Sequence, residues 1–183
     1  MVDERDQEKV ERARLTFGAE GAAGVLEDAY EGVRLERRIR FEPPLIRVED
    51  RCVSDEGHRY SWVFHARGGM AVRPAHPCPP LDLPPLPEDG PFARFRERRT
   101  ICVDGTICVD WRISERVWLR LLAASDGPFE VTTGRSPGNP VPDGRGTVLL
   151  RAAGRERTFR AAFEVHRGAP SLRALDLGQP SGK

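Results

Sequence analysis

Two cysteines in a nearly repeated stretch are the first residues whose spacing could support chemistry. Cys102 and Cys108 lie in TICVDGTICVDW, Thr100 to Trp111, on either side of an Asp-Gly pair that is typical of a hairpin turn. A two-residue turn would put the thiols on opposite faces. An odd-numbered loop with a bulge would align the apolar residues and set the thiols opposite each other, and burial favours this register. We expect both cysteines to pack as small apolar residues, ahead of a cross-strand disulfide or a metal site.

The remaining cysteines and the histidines do not complete a metal site. Cys52 and Cys78 lie far from the repeat, there is no Cys-x-x-Cys pair, and the histidines lack zinc-ligand spacing. We therefore expect no metal and no cofactor.

Proton transfer would need a donor and an acceptor from few side chains. The tyrosines and histidines are Tyr30, Tyr60, His58, His65, His76 and His166. Tyr60 is expected on a core face, with His65 on the opposite face beside Ser61 and Arg59, and a structural role for His65 is favoured over a catalytic one. His58 begins a strand and His76 lies in a proline-rich loop. The catalytic residues stay unassigned, with His65 and Tyr60 as weak candidates.

Arginines give the best candidate for a binding surface. From Val33 the sequence alternates, which predicts a strand with a basic outer face. Guanidinium groups bind carboxylate and sulfate in a bidentate manner. The predicted contacts for an acidic sugar are Arg34, Arg38, Arg40 and Arg59, with Arg47 as an alternative neighbour. The same face could instead dock another chain.

Short alternating segments without intervening helical patterns position these residues. The clearest is HRYSWVFHA, in which Tyr60, Trp62 and Phe64 share one face. SDEG, residues 54–57, is expected to be a turn. The predicted fold is all-β, an antiparallel sandwich of two packed sheets. A proline-rich segment, Arg73 to Pro91, should cross between sheets or drape over one as a long extended loop.

The chain ends are predicted to differ from the sandwich. Residues 1–24 should form a charged helix or tail, because Val10, Ala13 and Phe17 have rough helical spacing. Residues 25–170 should form the β-sandwich domain, and residues 171–183 a disordered tail.

Composition excludes some functions. The 28 acidic and 29 basic residues nearly cancel, so no global field favours nucleic acid or an anionic membrane. No signal peptide or membrane span is evident, so the chain as written is expected to be soluble and cytoplasmic, or extracytoplasmic within a larger exported protein.

Several stretches resemble the C-terminal β-sandwich domain of heparinase II/III-type polysaccharide lyases. The chief stretch is YEGVRLERRIRFEPPLIRVEDRCVSDEGHRYSWVFHA, and TTGRSPGNPV and RTFRAAFEVHRG resemble the family's final strands. The resemblance covers about Tyr30 to Gly168. It implies a sandwich that follows a catalytic α/α toroid and β-elimination of uronate glycans. The toroid is absent, and so is the histidine-rich stretch that the family carries on an early sandwich strand, because no histidine precedes His58.

The expected function is therefore a lyase-type β-sandwich module that is inactive alone. It would contact an acidic, uronate-containing polysaccharide or dock a separate toroid-type catalytic chain. A homodimer is an additional assembly that the sequence allows. If active, it would be a polysaccharide lyase. The alternative is a β-rich protein that holds a small apolar ligand between its sheets. A cavity lined by Trp62, Phe64, Trp111 and Phe163 would favour this alternative, and a filled core would count against it.

Overall fold

The computed structural model describes residues 1–5, 13–74, 76–137 and 144–173. Every strand pairing in this part of the chain is antiparallel. The strands are β1 (Ala13–Gly18), β2 (Gly21–Tyr30), β3 (Val33–Glu42), β4 (Leu45–Ala66), β5 (Gly69–Pro74), β6 (Arg96–Val103), β7 (Thr106–Arg112), β8 (Trp118–Ser125), β9 (Phe129–Ser136) and β10 (Arg145–His166), and a single 3-10 turn spans Gly90–Phe92. No helix among these residues is long and apolar enough to span a membrane.

The long strands β4 and β10 pair with each other and bend together. Residues 54–57 of β4 face Arg155 alone, which is a bulge in the ladder. Phe64 of β4 pairs with Val148 on one side of this bulge, and Phe163 of β10 pairs with Ile46 on the other side. The centroids of the two phenylalanine rings are nevertheless only 4.7 Å apart. In a straight ribbon the two positions would be roughly 50 Å apart. The prediction of a simple turn at 54–57 is therefore wrong, because the segment bends a continuous strand.

This bend divides the strands into two stacked sheets. Sheet A contains, in order, β1, β2, β3, the first half of β4, the second half of β10, β8, β7 and β5. Sheet B contains β6, β9, the first half of β10 and the second half of β4. Val2 bridges Tyr60 at the outer edge of sheet B. The prediction of an all-β, antiparallel sandwich is confirmed.

Aromatic rings fill the centre between the sheets. Phe64 lies 5.3 Å from Trp111 and 6.2 Å from Trp62, measured between ring centroids. Trp111 is fully buried, and its indole Nε1 donates a hydrogen bond of 3.1 Å to the Gly146 carbonyl. This part of the core is packed rather than hollow, which counts against a ligand held among these four rings.

The predicted hairpin at the cysteine repeat is wrong. β6 pairs with β9, whereas β7 pairs with β5 and β8, so Asp104-Gly105 carries the chain from sheet B to sheet A. Val103 and Ile107 are fully buried from opposite sheets. Cys102 and Cys108 consequently lie on the two outer faces of the sandwich and cannot meet.

The N-terminal region is also β structure where it is described. β1 pairs with β2, so the helical prediction is wrong over Ala13–Gly18; residues 6–12, including Val10, lie outside the described residues. Val2 is 1% exposed and belongs to the main core, and β2 runs through residue 24. At the other end, Leu172 is buried, so the predicted disordered tail is wrong at that residue; residues 174–183 are not described.

The proline-rich segment lies over the outer face of sheet B, which agrees with the prediction that it would drape over one sheet. Phe92 and Phe95 pack with Leu149 of β10 in a second apolar cluster. Arg98 fastens the segment by donating hydrogen bonds to the carbonyls of Leu86, Pro87, Phe92 and Phe95 at 2.7 to 3.2 Å. Among the described residues, this segment covers the outer face of sheet B, whereas no comparable segment lies over the outer face of sheet A near β3.

Candidate functional site

The outer face of sheet A collects arginines from strands that are distant in sequence. Residues directly opposite in an antiparallel pair project to the same face, so the register assigns each side chain to a face. One row across the sheet is Arg40, Arg47, Ala162, Leu122, Cys108 and Arg73. A neighbouring row contains Arg38, Glu49, Arg160 and Ala124. The row on the opposite side of the first contains Glu42, Leu45, Glu164, Arg120, Asp110 and Ala71.

Two of the predicted arginines on this face are already ion-paired. Arg34 contacts Glu36 at 2.9 Å and Glu27 at 3.4 Å. Arg38 lies 3.7 Å from Glu49, which also accepts a hydrogen bond of 3.0 Å from Arg160. About half of each side chain, 47% for Arg34 and 53% for Arg38, remains exposed. Exposed pairs of this kind are weak, so an incoming anion can compete for the guanidinium groups.

Positive charge is in excess at Arg40 and Arg47, which lie directly opposite each other on β3 and β4. Arg47 donates a hydrogen bond of 2.7 Å to Glu42. Within the described part of the chain, no carboxylate lies at ion-pair distance from Arg40. Two like charges opposite each other destabilise a strand pair, and a bound anion would relieve the repulsion.

A second basic cluster lies at the far end of the same face. Arg73, Arg120 and Arg173 surround an open depression of about 440 Å³, together with Cys108, Leu122 and Pro170. Between this cluster and the Arg40–Arg47 pair, Leu172 covers Leu122 and Ala162. Five strand-to-strand steps separate Arg40 from Arg73, which is about 24 Å.

Asp110 fixes the arginines of the second cluster. Arg120 donates to its two carboxylate oxygens at 2.7 and 2.9 Å, and Arg73 donates to it as well. Burial by itself would raise the pKa of Asp110, but the hydrogen bonds and charges of Arg120 and Arg73 outweigh this effect and lower the pKa. Asp110 is therefore ionised and neutralises only part of the charge around the depression.

Arg59 lies apart from the other predicted contacts. It belongs to the second half of β4, in sheet B, and donates a hydrogen bond of 2.8 Å to Glu4. Its backbone N–H donates to Asp3 at 2.9 Å. These contacts tie the N-terminal segment to the sheet edge, so the structure unites Arg34, Arg38 and Arg40 but not Arg59.

Tyr60 and His65 do not converge on one reaction centre. Burial raises the pKa of Tyr60, whose hydroxyl lies 2.9 Å from Ser54 Oγ inside the sandwich. His65 projects from the opposite face of the strand, with Nδ1 at 3.2 Å from Thr147 Oγ1 and 3.4 Å from Ser136 Oγ. Burial and the neighbouring Arg145 charge lower its pKa. Five residues of strand, about 16 Å, separate the two.

The other histidines make local contacts. His58 Nδ1 lies 2.8 Å from Asp3 Oδ2, and His166 Nδ1 lies 2.8 Å from the Gly168 carbonyl. The main-chain carbonyl of His76 accepts a hydrogen bond of 3.0 Å from Asp104. Among the residues described, no group of three or more histidine, cysteine or acidic side chains could hold a metal ion.

An apolar cavity of about 470 Å³ opens on the inner side of sheet A. It lies between β1 to β3 and residues 60–63 of β4, beside the N-terminal residue Met1. Its apolar walls include Leu15, Leu26, Leu35, Ile39, Trp62 and Phe159, and its polar lining includes Glu36, Arg37, Asp50, Arg51 and Ser61. Arg37 holds Asp50 by paired hydrogen bonds, one of 2.7 Å. The neighbouring Phe17 side chain is 82% exposed.

The sequence did not reveal the second basic cluster or this cavity. Arg73 and Arg120 are 47 residues apart, and only the register of β5, β7 and β8 brings them together. The available signal was the alternation of Arg120 between Leu119 and Leu121, which indicates a side chain pointing out of the core.

Comparison with known proteins gives a distant structural match. No family model matches the chain, and no curated protein matches it in sequence. Among solved structures, heparan sulfate lyase HepC from Pedobacter heparinus and a mutant of it match with a TM-score of 0.44 and 10% sequence identity. Each match covers 87% of this chain, and the chain spans 22% of the length of those lyases.

Proposed function

We propose that this chain is a non-catalytic β-sandwich module that binds an acidic, uronate-containing polysaccharide through the outer face of sheet A. The observation that carries the proposal is the register of the sheet, which puts the Arg40–Arg47 pair and the Arg73, Arg120 and Arg173 cluster on one face. A polymer that repeats carboxylates or sulfates can contact both clusters at once, and linked contacts raise affinity beyond that of either cluster.

The chemistry of arginine supports an anionic partner. Guanidinium groups match carboxylate and sulfate geometry. Of the two opposed arginines, Arg47 is paired with Glu42 and Arg40 adds a second, exposed positive charge beside it. Arg40 and Arg73, at the two ends of this face, are about 24 Å apart, so a short oligosaccharide that cannot reach both should bind more weakly than a long chain. A separate catalytic chain docked on this face is the competing occupant.

The proposal also holds that the chain does not cleave glycan by itself. β-Elimination needs a base and an acid beside one sugar ring. Tyr60 lies inside the sandwich and His65 on the outside of sheet B, so neither faces the arginines of sheet A. Catalysis would require residues from another chain or domain.

The test is binding of the full chain to immobilised heparan sulfate and polyglucuronate, with uncharged dextran for comparison. The double variant Arg40→Glu, Arg47→Glu should weaken binding roughly tenfold or more, because it removes two ion pairs and adds two repulsions of about 0.2–1 kcal/mol each. Added salt should weaken binding by the parent chain, since exposed charges are screened.

The matched control makes the same charge change away from sheet A. Arg94, which follows the proline-rich segment, and Arg99, on β6 at the edge of sheet B, are both exposed. Arg94→Glu, Arg99→Glu should leave binding within about twofold of the parent, since these charges are more than a Debye length from the outer face of sheet A. Equal losses in both variants, or none in the first, would overturn the proposal. Formation of ultraviolet-absorbing unsaturated uronate would overturn the claim that the chain is non-catalytic.

A second candidate function is supported by the apolar cavity. Its volume of about 470 Å³ suits a small ligand, and its mixed lining would hold an apolar body with a polar end near Arg37 and Asp50. The expected site is thus beneath β1 to β3 rather than among the four central aromatic rings.

An apolar fluorescent dye and a medium-chain fatty acid would test this candidate. Both should quench Trp62 emission in the parent chain. Ala22→Phe fills the cavity wall and should abolish binding, whereas Thr16→Phe, on the outer side of β1, should leave it unchanged. Unchanged binding by the Ala22 variant would exclude the cavity as the ligand site.

A further inference from the structure

Two cysteines that are distant in sequence lie opposite each other where the proline-rich segment meets sheet B. Pro77 forms an isolated antiparallel bridge with Val103 at the end of β6. The N–H of Cys78 donates to the Cys102 carbonyl at 3.1 Å, and the N–H of Asp104 donates to the His76 carbonyl at 3.0 Å. This register makes Cys78 the cross-strand partner of Cys102.

Directly opposite residues in such a pair have side chains on the same face. Their Cα atoms are about 5.5 Å apart in a hydrogen-bonded antiparallel pair, which falls in the usual range of about 4.4–6.8 Å for a disulfide. The Cys102 thiol is close enough to contribute to the raised pKa of Cys78. The backbone N–H of Leu81 also donates to Cys102 Sγ at 3.4 Å, which orients that thiol toward the segment.

We propose that Cys78 and Cys102 form a disulfide by exchange with a low-molecular-weight disulfide, and that this bond tethers the proline-rich segment to β6. The thiolate of one cysteine attacks a sulfur of the small disulfide and displaces one small thiolate. The second cysteine thiolate then attacks the mixed disulfide and displaces the other. The two cysteines are oxidised together, the small disulfide is reduced to two thiols, and two protons pass to solvent or to the leaving thiolates.

The other two cysteines are unsuited to this reaction. Cys52 is 8% exposed, and burial raises its pKa to about 12, so it supplies little thiolate. Cys108 lies on the outer face of the opposite sheet, where neither Cys78 nor Cys102 can reach it to complete a disulfide. Desolvation and the adjacent Cys102 thiol raise the pKa of Cys78, so exchange should quicken as the pH is raised.

A bond at this position would hold the cover over sheet B. The segment between the cysteines includes Pro84, whose carbonyl accepts a hydrogen bond of 2.8 Å from the buried Arg151. It also includes Phe92 and Phe95 of the second apolar cluster. Cross-linking restricts the unfolded chain over this loop, and the expected gain for the oxidised protein is a rise in Tm of roughly 5–12 °C.

The experiment uses the full folded chain in a series of reduced and oxidised glutathione mixtures. After blocking of free thiols, non-reducing digestion and mass spectrometry should find a Cys78–Cys102 peptide pair, with Cys52 and Cys108 in blocked form. The same samples should show the rise in Tm. Cys78→Ser should lose both effects, whereas Cys108→Ser should retain both, and circular dichroism checks that each variant is folded.

Several results would overturn the proposal. These are a stable glutathione adduct on Cys78 that Cys102 does not resolve, a different cysteine pairing, or no oxidation of the folded chain by any mixture. A rise in Tm that persists in Cys78→Ser would show that another site is responsible. None of these outcomes bears on glycan binding, which is measured on the other sheet.

Discussion

Removal of the buried guanidinium at Arg151 should cost more stability than any exposed ion pair in the protein. Arg151 is 1% exposed beneath the proline-rich segment. Its Nε and Nη2 donate to one oxygen of Glu130 at 2.9 and 2.6 Å, and its Nη1 donates to Glu4 at 3.2 Å. Arg151→Met keeps much of the side-chain volume but leaves the buried Glu130 carboxylate without its cation.

The expected loss is about 3–5 kcal/mol, because breaking a buried ion pair from one side leaves an uncompensated charge. Glu4 keeps its contact with Arg59 at 2.8 Å, so the loss arises chiefly at Glu130. For a chain of this size the loss corresponds to a fall in Tm of roughly 6–20 °C. Urea denaturation followed by tryptophan fluorescence measures it directly.

Two further variants show whether burial is the cause. Arg14→Met breaks an exposed pair with Glu27, in which the arginine side chain is 71% exposed, and should cost less than about 1 kcal/mol. The double variant Arg151→Met, Glu130→Leu removes both charges and should recover much of the stability. A loss below about 1 kcal/mol for Arg151→Met, or a double variant as unstable as the sum of the single ones, would refute this reasoning.

Two other predictions follow from contacts on the sandwich. The pKa of Asp110 is lowered in the folded protein, so as the pH falls this carboxylate is protonated first in the unfolded chain. The stabilisation that Asp110 contributes is therefore present above its ordinary pKa of 3.8 and is lost as the pH falls below that value. Asp110→Asn should therefore flatten the acid limb of a plot of Tm against pH, and an unchanged slope would contradict this. A Cβ at Gly146 would approach Trp111 Nε1 to 2.8 Å, whereas one at Gly57 meets nothing within 4 Å. Gly146→Ala should cost about 1–3 kcal/mol in chemical denaturation and Gly57→Ala much less, and equal losses would contradict the stated crowding.

Local patterns were enough to predict the class of fold and the faces of its strands. Tyr60, Trp62 and Phe64 alternate with Ser61, Val63 and His65, and the three rings do lie inside the sandwich. Proline density likewise predicted a segment outside the ladders, since proline lacks the N–H that a sheet requires. This holds after Pro77 but not at the start of the segment, because Arg73 and Pro74 pair with β7 and Pro77 bridges Val103. These features depend on residues within a few positions of one another.

Local patterns could not predict which strands pair with each other. Asp104-Gly105 has the sequence of a hairpin turn, but burial of Val103 and Ile107 in facing sheets outweighs that local preference. Residues 13–18 have helical spacing but gain a ladder of hydrogen bonds with β2. In both places a non-local pairing overrides a local propensity of about 1 kcal/mol or less per residue.

The candidate sites also combine features that the sequence predicted with features that depend on strand pairing. The period-two pattern by itself determined that Arg34, Arg38 and Arg40 share an outward face, because alternation is a property of one strand. Only the tertiary structure decided that Arg47, Arg73 and Arg120 join that face, that Arg59 does not, and that Cys78 lies opposite Cys102. Those placements depend on the register between strands far apart in sequence, which is fixed by burial of the whole core.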